Sequence, residues 1–395
     1  MVITTNMVQT LGIAVVVLLI GRGLCNKVSL LNRFCIPAPV VGGLLFSIAL
    51  LIGNVTGAFA IEMDLTLQSF FMNMFFTTIG FTASMKILKK GGVQVFIFLA
   101  AASVLVILQN IVGVSLANVF DLNPLIGLST GSVPMTGGHG TSGAFGPLFE
   151  EYGAVGASTV ALASATFGLI MGSMIGGPIA RMLIEKYKLT PEKDADSSSV
   201  EKHVDPDLKP SNVLNAFYMI AIALALGTIV SMLIEMTGLT VPGYIGAMFV
   251  AAIIRNISDS SGDKFPVYMD EIGTLGDMFL SVFLAMALMS LKLWQLADLA
   301  GPLVIMLLAQ TVLMIVFAIF VTFRVMGRDY EAAVLTAGHC GFGMGATPNA
   351  MANMKAVRDK YWPAPKAFFI LPIIGSLFID FVNATVITFF ANMVR

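Results

Sequence analysis

Ser132–Gly143 reads SVPMTGGHGTSG, and Gly338–Asn349 reads GHCGFGMGATPN. Glycine and proline are too dense in both for an ordinary spanning helix, yet each is embedded in lipid-soluble sequence. Irregular backbone at membrane depth survives only where protein buries it or where it lines a watery cavity. Two such interruptions, one in each half of the chain, are the sequence mark of a secondary-transporter binding site.

The rest of the chain sets the solvent. Charged residues make up 11% and hydrophobic residues 57% of 395 residues, against about 25% charged in a soluble domain. Leu11–Ile20, Val93–Leu108 and Leu303–Val321 are almost free of charge. Most apolar runs approach the roughly 20 residues that cross a bilayer. The reading is an all-α polytopic membrane protein. With a net charge of −1, nothing in the composition suggests nucleic acid. Cys25, Cys35 and Cys340 lack a disulfide or zinc spacing and are expected to stay reduced. The N-terminal MVITTNMVQT has no basic region, so the first apolar run reads as a retained helix.

Ten spanning helices are expected, near 5–21, 36–55, 69–86, 93–119, 154–181, 212–236, 241–257, 274–291, 301–323 and 367–392. The two interrupted stretches become re-entrant hairpins at about 124–152 and 332–365. Residues 1–185 then form an N-terminal repeat, 186–211 a cytoplasmic linker rich in Pro, Asp, Ser and Lys, and 212–395 a C-terminal repeat. With both termini periplasmic, 20 of the 22 basic residues fall on the cytoplasmic side, all but Lys292 and Arg395. Such a bias sets orientation. Five helices per half is an odd number, so the second half is expected inverted. Gly138-His139-Gly140 with Thr141 then matches Gly343-Met344-Gly345 with Thr347, and Ser84-Met85-Lys86 loosely matches Ser290-Leu291-Lys292. The first hairpin opens from outside and the second from inside.

Chemistry is expected at the hairpin tips. Glycine lets the backbone turn tightly and expose N–H groups, and a resumed helix presents an N-terminus that favours an anion. Gly137, Gly138, Gly140, Gly343 and Gly345 supply that backbone. Thr136, Thr141, Ser142, Thr347 and Asn349 add side-chain donors. The competing reading is that these glycines only allow close helix packing. Asp380 lies in the middle of an apolar run, where an acid costs about 2.5–3.5 kcal/mol. Asn383 follows three residues on and shares its face. Together they offer oxygens to a cation such as Na+, or a proton site; the alternative is a structural acid held by buried donors. Gln109, Asn110 and Gln310 are weaker candidates, more simply read as bonding across helices. His139 is a candidate substrate donor, while His339 reads as packed and His203 as solvated. The adjacent His339 and Cys340 would point apart on a helix, which removes them as a nucleophile pair. No lysine or arginine falls in an expected helix core, so an anionic substrate would be held by N–H groups, hydroxyls, amides and a co-bound Na+.

At these residues the chain resembles the bacterial sodium/glutamate symporter family over essentially its whole length. The likeness is closest in Gly137-Gly-His-Gly-Thr141, in Ser281-Val-Phe-Leu-Ala-Met-Ala-Leu-Met289 followed by Leu291-Lys-Leu-Trp294, and in Ala337-Gly-His-Cys-Gly-Phe-Gly-Met-Gly-Ala-Thr-Pro348. The resemblance implies electrogenic, Na+-driven uptake of L-glutamate across the bacterial inner membrane, with two inverted five-helix halves. The related citrate-carrier architecture implies a homodimer in membrane lipid and a sliding, elevator-type transport domain. Substrate roles carry over where the motifs match, at Gly137–Thr141 and Gly343–Pro348; Asp380 and Asn383 fit the pattern of the last helix. Pro134 departs from it, standing where a hydroxyl residue is expected. The alternatives on the residues alone are a carrier for another dicarboxylate or hydroxy acid and, in a different class, a passive ion channel. An intramembrane hydrolase lacks a nucleophile and base.

Overall fold

The computed structural model describes residues 2–34, 36–90, 92–191, 208–236, 243–261, 265–296 and 299–395. Cys35, Lys264 and 192–207 of the expected linker, with Lys193, Lys202 and His203, lie outside the described residues.

Strand β1 (Val2–Thr5) leads into α1 (Met7–Lys27) and α2 (Ala38–Thr56), then β2 (Ala60–Met63), α3 (Thr66–Thr82) and α4 (Gly92–Val119). The first interrupted stretch follows as α5 (Pro124–Leu128), α6 (Ser132–Met135) and α7 (Gly138–Glu151). Next come α8 (Ala157–Tyr187), α9 (Pro210–Glu235), α10 (Tyr244–Ser261), α11 (Met269–Met289) and α12 (Ala300–Phe317). The second interrupted stretch is α13 (Tyr330–Gly343) and α14 (Thr347–Lys360), and the chain closes with α15 (Pro365–Ile373) and α16 (Ile379–Val394).

Among the described residues seven helices are long and apolar enough to cross a membrane: α1, α2, α4, α8, α9, α11 and α12 with its extension to Val325. The other three expected spans have helical counterparts that differ for local reasons. Helix α3 has 17 residues. Helix α10 carries Arg255 and Asp259, which form an i,i+4 ion pair. The last span is split by a π-helical segment, Ile374–Phe378, between α15 and α16. A second π-helical segment, Ala318–Thr322, follows α12. Among the described residues the one departure from an all-helical reading is the parallel pair β1–β2, with Val2 opposite Ala60 and Thr5 opposite Met63. Chain entry into α1 is fixed by Asn6, whose side chain accepts from the N–H groups of Val8 and Gln9 while Gln9 reaches back to the Asn6 N–H. That reciprocal cap satisfies donors a helix start otherwise leaves open.

The chain divides into two compact units, each drawing on both halves of the sequence. Unit 1 holds the described residues of 1–81, His139–Ala163 and 208–302. Its core packs Met74 and Phe81 of α3 with Ala216 and Ile220 of α9 and Ile272 and Phe279 of α11. A second cluster joins Val40, Leu162, Phe283 and Leu288. Helix α11 is the shared wall, because its apolar residues recur on more than one face. Unit 2 holds Thr82–Gly138, the described part of 164–207, and Leu303–Arg395.

Inside unit 2, α8 carries glycines at positions 168, 172 and 176. This small-xxx-small stripe lets helix backbones approach closely, and α13 lies along it. A Cβ at Gly168 would fall on the Met344 carbonyl; one at Gly172 would come within 3.0 Å of the Cys340 carbonyl. One at Gly176 would fall on the Asn353 amide and within 2.7 Å of the Ala337 carbonyl.

Candidate functional site

Helices α13 and α14 have 14 residues each, about 21 Å at 1.5 Å per residue. Neither alone spans the roughly 30 Å hydrocarbon core. They pack against each other as a helix–break–helix pair around Met344, Gly345 and Ala346. Asp329 caps the start of α13 by accepting from the Ala332 N–H at 2.7 Å. Helix α14 restarts with Pro348 in its first turn, where a missing N–H costs nothing. The first stretch breaks at Thr136–Gly137, and Gly138 adopts a left-handed φ of 61° that a side chain would strain.

Within unit 2 the two breaks adjoin: a Cβ on Gly138 would sit 3.0 Å from the Gly345 carbonyl oxygen. Gln109 of α4 ties them together. Its Nε2 donates to the Gly343 carbonyl at 2.7 Å, and its Oε1 accepts the Thr136 hydroxyl at 2.8 Å. Gln310 of α12 donates to the Gln109 backbone carbonyl at 2.8 Å. The neighbouring Asn110 accepts the Ser132 N–H at 2.9 Å, and Asn383 of α16 donates to the Ser132 carbonyl at 3.1 Å. Gln109, Asn110, Ser132 and Asn383 are fully buried. Among the described residues Ser132 Oγ and Asn383 Oδ1 are buried without a hydrogen-bond partner. Burying an oxygen unpaired costs about 1–3 kcal/mol, so two such oxygens beside a break mark a place that a donor or a hard cation would relieve.

The expected site residues divide as follows. Thr136, Gly137, Gly138, Gly343, Gly345, Thr347, Asn349, Asp380 and Asn383 are all in unit 2. His139, Gly140 and Thr141 open the part of α7 that belongs to unit 1. There His139 and Thr141 are buried, and Gly140 faces Phe75 and Leu280. Several side chains expected to face a ligand have protein partners instead. Thr347 donates to the Gly375 carbonyl at 2.6 Å, inside the π-helical segment. A π-turn shifts the backbone register and leaves a carbonyl out of the regular ladder; the threonine hydroxyl takes it up. Asn349 donates to the Leu169 carbonyl at 2.9 Å and to Ser173 Oγ at 2.7 Å. Gly137 donates its N–H to the Ser132 carbonyl at 3.0 Å. Asp380 is half-buried, two residues beyond the π-helical segment. Among the described residues no group of three His, Cys, Asp or Glu side chains is placed to hold a metal ion.

His339 is packed as its sequence context suggests. It stacks on Phe342, meets Phe98 and Phe317 edge-on, and shares a 2.8 Å hydrogen bond with Thr322 of the π-helical segment. Gln109 and Gln310, read from the sequence as bonding across helices, do so around the breaks; the α8 glycine stripe, which packs there too, stood outside the expected site residues. The stripe had a signal, its four-residue spacing. Gln109 had only its polarity inside an apolar helix.

Against known proteins, residues 3–363 match the family model described as sodium/glutamate symporter. The sodium/glutamate symporter of Escherichia coli strain K12 is 44% identical over 384 residues, covering 96% of this chain and 95% of that protein. The Haemophilus influenzae protein of the same name is 41% identical over 391 residues, covering 97% and 96%. A Shigella flexneri relative, again of that name, is 44% identical over 384 residues. These relatives are named as symporters and not as enzymes.

Proposed function

As the chain belongs to the sodium/glutamate symporter family, we propose that it imports L-glutamate across the bacterial inner membrane together with Na+ as a co-transported ion. The observation that carries this reading is likeness to proteins of that name along nearly the full length of both chains. The meeting of the two breaks in unit 2 supports a site at Thr136–Gly138 and Gly343–Asn349. There Gly138 would offer its backbone N–H to a glutamate carboxylate, while Gly137, Gly343 and Gly345 would let the backbone turn and approach closely. Thr136, Thr347 and Asn349 would shape the walls; the family likeness alone extends the substrate assignment to His139, Gly140 and Thr141.

Na+ is assigned to Asp380 and Asn383. The unpartnered Oδ1 of Asn383 and Oγ of Ser132 support a neutral oxygen set, and the Asp380 carboxylate adds charge. A cation bound there would offset part of the substrate's negative charge, so each would raise the affinity of the other by the same factor. We assign both termini to the periplasm. The two halves are read as inverted repeats, the broken helix pairs as re-entrant hairpins, the motion as elevator-type alternating access, and the working form as a homodimer.

The test is counterflow in proteoliposomes. Labelled glutamate should exchange against unlabelled glutamate and not against citrate or malate, with saturable Na+ flux in fixed ratio to substrate. Preference for citrate or malate would move the assignment to a dicarboxylate or hydroxy-acid carrier. Na+ flux without substrate stoichiometry would indicate a channel. Uptake unchanged when choline replaces Na+ would overturn the coupling.

A further inference from the structure

The amide of Gln109 has one donor end and one acceptor end in use, and they go to different breaks: Nε2 to the Gly343 carbonyl and Oε1 to the Thr136 hydroxyl. Its helix is gripped from a third side by Gln310, which donates to the Gln109 carbonyl. The side chain is fully buried, so water does not compete for either bond. The next residue repeats the pattern, with Asn110 accepting from Ser132 N–H at 2.9 Å. Helix α4 therefore holds the first break by two adjacent amides and the second break by one. We propose that Gln109 is a positioning residue, whose single amide sets the separation of the two breaks and with it the geometry of the glutamate site between them. The inference rests on the function proposed above, but it concerns how the site is held and not what it binds.

The two ends are chemically distinct, which makes the proposal testable by protonation. In a Gln109→Glu variant the ionised carboxylate can still accept from Thr136, but it faces the Gly343 carbonyl acceptor to acceptor. The protonated acid has an O–H that donates to Gly343 and a C=O that accepts from Thr136, which restores both bonds. Gln109→Leu removes both bonds at every pH. Other titratable groups are shared with the unaltered chain. On the elements packed against α4, His339 lies one turn before Gly343 and Asp380 one turn before Asn383. Glu331 and Lys366 line a cleft with Gln94, about 22 Å back along α4 at 1.5 Å per residue.

The experiment is Na+-dependent glutamate uptake into proteoliposomes from pH 5.5 to 9, expressed as the ratio of variant to unaltered protein. For Gln109→Glu the ratio should be near one at the acid end and fall by about tenfold or more toward pH 9, the range expected for an unpaired buried acceptor. For Gln109→Leu it should be low and flat. A Gln109→Glu ratio that does not change with pH, or a Gln109→Leu ratio within about twofold of one, overturns the proposal. If Gln109→Glu is not recovered in the membrane, Thr136→Val reads the same arm: glutamate affinity should fall by about fivefold, and an unchanged affinity overturns it. Failure of the unaltered protein to take up glutamate would instead count against the proposed function.

Discussion

Gly176 and Gly177 are neighbours on α8, yet alanine should act on them in opposite directions. A Cβ at Gly177 meets nothing within 4 Å. Alanine there gains only the propensity difference, up to about 1 kcal/mol in favour of the folded helix. A Cβ at Gly176 would fall on Asn353 Nδ2, 2.8 Å from Asn353 Cγ and 2.7 Å from the Ala337 carbonyl. Ordinary contact needs about 3.5 Å, so either α13 retreats or Asn353 leaves. Asn353 is pinned by bonds to the Gly172 carbonyl at 2.8 Å and the Ala337 carbonyl at 3.2 Å, each worth about 0.5–1.5 kcal/mol. Overpacking adds about 1–3 kcal/mol. After the propensity gain, Gly176→Ala should destabilise unit 2 by about 2 kcal/mol or more. The assay is thermal unfolding in detergent, read as reaction of the buried Cys25 and Cys340 with a thiol-reactive fluorophore in a Cys35→Ser background. A 2 kcal/mol loss corresponds to a midpoint roughly 4–8 °C lower. Gly177→Ala should match or exceed the unaltered protein. Equal midpoints for the two variants would refute the close seating of α13 on the glycine stripe.

Asp380→Asn should raise the Na+ concentration for half-maximal uptake at least about tenfold, since one charge 4 Å from a cation is worth about 4 kcal/mol at an effective dielectric of 20; unchanged Na+ dependence removes Asp380 from the site. Cysteines introduced by Thr141→Cys and Thr347→Cys should react with membrane-impermeant reagents from the periplasmic and the cytoplasmic side respectively, and glutamate with Na+ should protect both. Labelling of both from one face would break the inverted arrangement.

Much of the fold was legible because burial in lipid writes itself in composition. Each expected span has a helix at nearly the expected place, and the dense glycine and proline of GGHG and GMGATP located both breaks. Asp380 and Asn383 fall in one helix, α16, as their place in an apolar run implied. The donors at the tips were harder to read, because a hydroxyl does not state its partner. Thr136, Thr347 and Asn349 bond to Gln109, Gly375 and the Leu169–Ser173 turn, residues 27 or more positions away. The π-helical segments at 318–322 and 374–378 arise from a register shift that no residue type compels. The β1–β2 pair was obscured because Val2–Thr5 is too short to show an alternation.

The chain passes from one unit to the other near residues 81, 138, 163, 207 and 302. Neither unit is therefore complete when the first half of the chain leaves the ribosome. Ser132 receives its bond from Asn383 only after 251 further residues have been added, roughly 10–50 s at 5–20 residues per second. During that interval the first break has only its nearer bonds, the Gly137 N–H on the Ser132 carbonyl and the Gln109 and Asn110 amides of α4. Substitutions in residues 303–395 would then weigh on the assembly of unit 2 during synthesis as well as on the stability of the finished protein.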